Sequence, residues 1–134
     1  MTKLSEIEGI GSSYEEQLKS HGIASIENYL EACATAKSRA NLADKTGISE
    51  KLILKWANRA DLSRVKGIGG EYADLLEASG VDTVPELAQR KPENLLHKLT
   101  EVNEAKNLVR KLPALSQVEA WVADAKQLPR ALEY

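Results

Sequence analysis

The chain repeats itself, and this repeat limits what it can fold into more than any other feature. Leu4-Ser5-Glu6-Ile7-Glu8-Gly9-Ile10-Gly11-Ser12-Ser13-Tyr14 aligns with Leu62-Ser63-Arg64-Val65-Lys66-Gly67-Ile68-Gly69-Gly70-Glu71-Tyr72 at an offset of 58 residues. Between 4–30 and 62–88, eight positions are identical, and positions 7/65, 23/81 and 26/84 exchange Ile for Val. The copies also close alike. Trp56-x-x-x-Ala60 matches Trp121-x-x-x-Ala125 at an offset of 65, so the second copy gains about seven residues, placed near Leu112-Pro113. Self-similarity at a fixed period marks a duplicated structural unit. It divides the 134 residues into a first repeat, 1–61, and a second, 62–134. Each has only about 60 to 70 residues, so the two are expected to share a continuous core in one compact unit.

Each repeat reads as helices throughout. Leu and Ala are plentiful, Phe is absent, and strand-like alternation is lacking. A short helix over Leu4–Glu8 is expected to end at Gly9, because glycine takes the positive φ that stops a helix. Ser12 or Ser13 should cap the next helix, with Glu15 or Glu16 completing a capping box. Gly22, Gly47 and Gly80 stand where further helices should stop. Ser25 starts a helix with Ile26, Tyr29, Leu30 and Cys33 on one face, and Ser49 starts another carrying Leu52, Ile53 and Trp56. In the second repeat Thr83-Val84-Pro85-Glu86 reads as a capping box and Pro92 opens a helix. Helix ends within 98–116 are not fixed by the pattern.

Gly-Ile-Gly is the chemical centre of each repeat. Two glycines let the chain reverse tightly, and the isoleucine between them can plug the gap between helices. Such a turn presents backbone N–H groups at the positive end of the next helix's dipole, a place that can hold a phosphate oxygen without reading a base. The segments 7–18 and 65–76 resemble the helix-hairpin-helix motif. Over its whole length the chain is similar to the family known as domain of unknown function 4332, with the order Gly-Ile-Gly, Tyr, Leu, Gly-Ile and a Trp-x-x-x-Ala helix. The resemblance implies an all-α fold of two tandem helix-hairpin-helix repeats, a SAM-like helical bundle. Nucleic-acid-binding relatives of the motif usually follow the hairpin with Pro and Lys or Arg, whereas this chain has Ser12-Ser13 and Gly70-Glu71. Glu6, Glu8, Glu15 and Glu16 surround the first turn, and Arg64 and Lys66 precede the second. The candidate phosphate site is therefore Arg64, Lys66, Gly67, Ile68, Gly69 and Gly70.

Charge argues the other way. The net charge is −2, so no global field draws the chain to nucleic acid or to anionic membrane. Two readings stay open: a non-catalytic module that binds nucleic acid weakly without regard to sequence, and a protein-interaction or scaffold module. No enzyme is expected. His21 and His97 lack metal-ligand spacing, the single Cys33 reads as a small buried hydrophobe, and no P-loop, dinucleotide or nucleophile-elbow motif occurs. No cofactor, metal or small-molecule substrate is evident. Tyr14, Tyr72, Trp56 and Trp121 read as packing residues, and Arg90-Lys91 and Arg110-Lys111 as solvated helix faces. No apolar run suits a signal peptide or a membrane span, which makes a cytoplasmic location the default.

Overall fold

A computed structural model describes residues 3–7 and 9–133. Among them are eight α-helices and no strand; a lone antiparallel bridge pairs Lys3 with Ser25. After a single 3-10 turn, Leu4–Glu6, come α1 (Ser12–Lys19), α2 (Ile26–Ala32), α3 (Ala36–Thr46) and α4 (Glu50–Leu62). Then follow α5 (Gly70–Ala78), α6 (Val84–Ala88), α7 (Pro92–Lys106) and α8 (Leu115–Gln127). The first four and last four correspond in order.

The correspondence reaches individual backbone bonds. Ile7 N–H to Leu4 O, Ile10 N–H to Ile7 O and Glu15 N–H to Gly11 O recur as Val65 to Leu62, Ile68 to Val65 and Ala73 to Gly69. The bond from Ile23 N–H to Leu18 O recurs as Val81 to Leu76. These last two are the reversed bonds that close a helix over a left-handed glycine, here Gly22 at φ +83° and Gly80 at φ +92°. Ser25 then caps α2 through the Asn28 amide, and Thr83 caps α6 through the Glu86 amide. Trp56 and Trp121 are each the seventh residue of a 13-residue helix.

Three local expectations are corrected. Neither Ser12 nor Ser13 caps α1: Gly11 is the N-cap, Ser12 is already helical, and no side-chain capping bond forms. An extended Gly11 carries the chain straight out of the turn, so the helix begins one residue earlier than the serines suggest. The short helix before the first turn is a single 3-10 turn ending at Glu6 rather than reaching Glu8, which itself lies outside the described residues. The seven extra residues are also spread out. Relative to the first repeat, α6 is two residues shorter than α2, α7 is four longer than α3, and the loop 107–114 is five longer than 47–49. Asn107 ends α7 in the left-handed conformation that Gly47 adopts after α3, a role asparagine fills at low cost.

The chain separates into two compact units, one ending at Asp61 and the other running from Leu62 to Pro129; the tail from Arg130 groups with the first. Each unit has a buried cluster of its own. The first is built on Leu4, Ile10, Leu18, Tyr29, Ile53 and Trp56, joined by Leu132 from the tail. The second is built on Leu62, Ile68, Leu76, Leu87, Leu99 and Trp121, where α8 packs on α6 and α7. Ile10 and Ile68 are both buried, as their place between the glycines predicts.

Candidate nucleic-acid interface at the hairpins

The two glycines of each hairpin have different tasks. Gly9 and Gly67 take φ of +97° and +92°, whereas Gly11 and Gly69 are extended at φ −84° and −96°. A Cβ built on Gly9 would stand 3.1 Å from the indole nitrogen of Trp56, and one on Gly67 would stand 3.1 Å from that of Trp121. The first glycine thus accommodates both a left-handed backbone and an indole laid against it. Tyr14 packs on Trp56 with ring centroids 4.8 Å apart at a steep angle, and Tyr72 on Trp121 at 5.1 Å. Those separations suit aromatic pairs. Each Gly-Ile-Gly turn is closed by the tryptophan of its own repeat's last helix. Sequence reading found both tryptophans but not this contact; the matched Gly, Tyr and Trp positions were the available signal.

Around the second hairpin, Lys66, Gly67 and Gly69 are exposed, Arg64 and Gly70 half-buried, and Ile68 buried. Ile68 is therefore a core residue that shapes the turn. The first backbone bond of α5 runs from Ala73 to Gly69, so the amides of Gly70, Glu71 and Tyr72 precede the helical ladder. Two donors next to the turn bond within the chain, while Lys66 itself stays exposed. The Lys66 N–H donates to Asp124 Oδ2 at 3.1 Å, and the Arg64 guanidinium donates to the Pro129 carbonyl. This bond draws the Arg64 side chain against the segment that leaves α8. Asp124 and Pro129 lie some 60 residues from the turn in sequence, and no local pattern connects them to it.

The remaining charge is mixed. Exposed Glu71 and half-buried Asp74 lie in α5, the helix that follows the turn, and Asp124 sits against the turn. Of the other basic residues, Arg90 pairs with Glu86 at 2.9 Å, while Arg110 and Lys111 lie exposed in the 107–114 loop rather than on a helix face. His21 contacts the Gln17 carbonyl at 3.0 Å, and His97 contacts Glu101 at 2.9 Å. Among the described residues, no group of three or more His, Cys, Asp or Glu is placed to hold a metal ion. Cys33 is fully buried, and burial pushes its thiol up to about 11. Burial likewise raises the neighbouring Tyr29 phenol, whose hydroxyl donates to the Ile53 carbonyl at 2.7 Å. Neither group is set up as a nucleophile. Asp82 is also raised, chiefly by burial.

A family model described as a domain of unknown function, DUF4332, matches residues 8–128. The chain belongs to that family. The DUF4332 match spans both Gly-Ile-Gly turns and both tryptophan helices. No curated protein and no solved structure matches the chain. No helix among the described residues is long and apolar enough to cross a membrane.

Proposed function

We propose that this DUF4332 chain is a non-catalytic module of two helix-hairpin-helix repeats that docks on a protein partner. The observation that carries this reading is the carboxylate set against the second turn, together with the bond that holds Arg64 to the chain. Asp124 accepts the Lys66 amide and Pro129 accepts the Arg64 guanidinium. A phosphate at that turn would compete with a carboxylate already in place and meet its repulsion. The net charge of −2 adds no long-range attraction to offset it. Affinity capture from cell extract, with and without nuclease, separates the classes: polypeptides held by a protein-docking module remain after nuclease treatment, and those bridged by nucleic acid are lost.

Nucleic-acid binding is the second reading, favoured by the exposure of Lys66, Gly67 and Gly69 ahead of α5. One hairpin could meet only a few phosphates, so the log–log salt slope would be about −2 to −3 on duplex DNA. Lys66→Glu is the clean variant, because changing Arg64 would also remove the tie to Pro129. Titrating a labelled duplex at ~50 mM salt, where screening is weak, compares it with wild type. Sequence-indifferent binding that Lys66→Glu abolishes would replace the protein-docking reading; no binding by either protein would remove the nucleic-acid one.

A further inference from the structure

The duplication lets one repeat report what fits in the other. In the second unit, Arg90 folds back over the end of α5. Its guanidinium donates to the Gly80 carbonyl at 3.1 Å and to Glu86 Oε1 at 2.9 Å. It lies 3.6 Å from where a Cβ on Gly80 would stand. Counted from the caps Thr83 and Ser25, Arg90 matches Ala32, Glu86 matches Asn28 and Gly80 matches Gly22, although Arg90 stands just past the end of α6 and Ala32 is the last residue of α2. The first unit therefore keeps the glycine stop and the cap while lacking the arginine side chain. At that place there is a cleft of about 570 Å³, whose lining includes Gly22, Ile23, Asn28, Glu31, Ala32 and Lys45. A Cβ on Gly22 would meet nothing within 4 Å, so no side chain lies over Gly22 as Arg90 lies over Gly80.

We infer that this cleft binds a guanidinium group, that of an arginine side chain presented by a partner polypeptide, in the manner of Arg90 in the second repeat. The site rests on the comparison between repeats; only the polypeptide source rests on the protein-docking reading. Glu31 supplies the carboxylate that Glu86 supplies in the other copy, one turn further along the helix. Asn28 stands in place of Glu86, and its amide oxygen, which accepts a long bond from the Ala24 N–H at 3.5 Å, keeps a second lone pair for a donor. Lys45 also lines the cleft, so selection depends on directed bonds rather than on net negative charge. A planar fork of donors meets that requirement, and a compact ammonium does not.

The test is a titration of the full-length, ¹⁵N-labelled chain with N-acetyl-arginine amide, with N-acetyl-lysine amide as the ammonium control. Saturable shifts are expected at the Gly22, Ile23, Asn28 and Ala32 amides, with affinity for the arginine probe about fivefold or more above that for lysine. Ala32→Arg places the chain's own guanidinium in the cleft and should abolish these shifts. Arg90→Ala empties the matching place and should add a second set at Gly80 and Val81. Should either variant fail to fold, Glu31→Gln at an exposed position must still weaken the wild-type response about threefold or more. An arginine probe that leaves Gly22 and Ile23 unmoved, or a lysine probe that moves them equally, overturns the site. Free L-arginine binding more tightly than the capped probe would overturn the polypeptide source alone. The probe acts without any partner, so failure of the protein-docking reading would not be mistaken for failure of the site.

Discussion

Gly9 and Gly67 show how much one residue can decide. Each combines a left-handed backbone with an indole nitrogen that would stand 3.1 Å from an added Cβ. Alanine at either position faces the left-handed penalty of about 1–2 kcal/mol and must also displace a buried tryptophan. Gly9→Ala and Gly67→Ala are expected to destabilise by about 2–4 kcal/mol in urea unfolding. At Gly11 and Gly69 the backbone is extended and an added Cβ meets nothing within 4 Å, so alanine there should change stability by less than about 1 kcal/mol. Equal costs at both glycines of a hairpin would refute this division of labour. The sequence marked all four glycines alike, because Gly-Ile-Gly records where a turn falls and not which glycine bears it. Ser12 and Ser13 misled for a related reason: capping preference chooses among residues with suitable φ and ψ, and the turn had already given that place to Gly11.

At the scale of elements, α2 and the Cys33 that caps its end carry a buried face whose titration is suppressed. Tyr29 and Cys33 lie one turn apart, both fully buried, and the Tyr29 hydroxyl holds the Ile53 carbonyl of α4. The thiol is raised from about 9 to about 11, and burial of the phenol pushes in the same direction. A group raised on folding contributes stability below its unfolded value and loses it as pH climbs through the folded one. The first unit should therefore weaken between about pH 9 and 11, by about 2–3 kcal/mol for the thiol alone. Urea unfolding of wild type and Cys33→Ala at pH 8 and pH 11 isolates that contribution. The stability gap between them should narrow by this amount at high pH; a constant gap would show that the thiol is not held protonated by the fold. This face was legible from the spacing of Ile26, Tyr29, Leu30 and Cys33, a helical period with a cap before it. The end of α7 was not, because Asn107 replaces the usual glycine and the loop beyond is held by paired bonds between Asn103 and Val109.

For the whole molecule, the route of the chain sets how the first unit holds together. The polypeptide leaves that unit at the end of α4, builds the second, and returns with the tail from Arg130. Leu132 is buried in the first core, the Glu133 N–H donates to the Ala34 carbonyl at 2.7 Å, and the Glu133 carbonyl accepts from the buried Arg39 at 2.8 Å. The same guanidinium bonds the Cys33 carbonyl at 2.8 Å, so the tail and the end of α2 are fastened through one side chain. Nothing in the repeat register pointed to this, since residues beyond the last matched helix have no counterpart in the first copy. Removing residues 130–134 deletes a buried leucine and strips Arg39 of a partner. The first costs about 2–5 kcal/mol and the second about 1–3. For a unit of roughly 60 residues the total approaches all the stability such a domain commands. Amide hydrogen exchange followed by mass spectrometry is the suitable measurement, because it reads the two units separately in one sample. Truncation should strip protection from α2, α3 and α4 and leave α5 to α8 protected as in the full chain. Residues 1–61 expressed alone should likewise show reduced helicity and broad melting, having lost Leu132 and both Glu133 bonds. Unchanged protection in α2 and α3 after truncation would mean that the tail merely lies on the first unit, and the core formed by residues 4–60 would then be sufficient by itself.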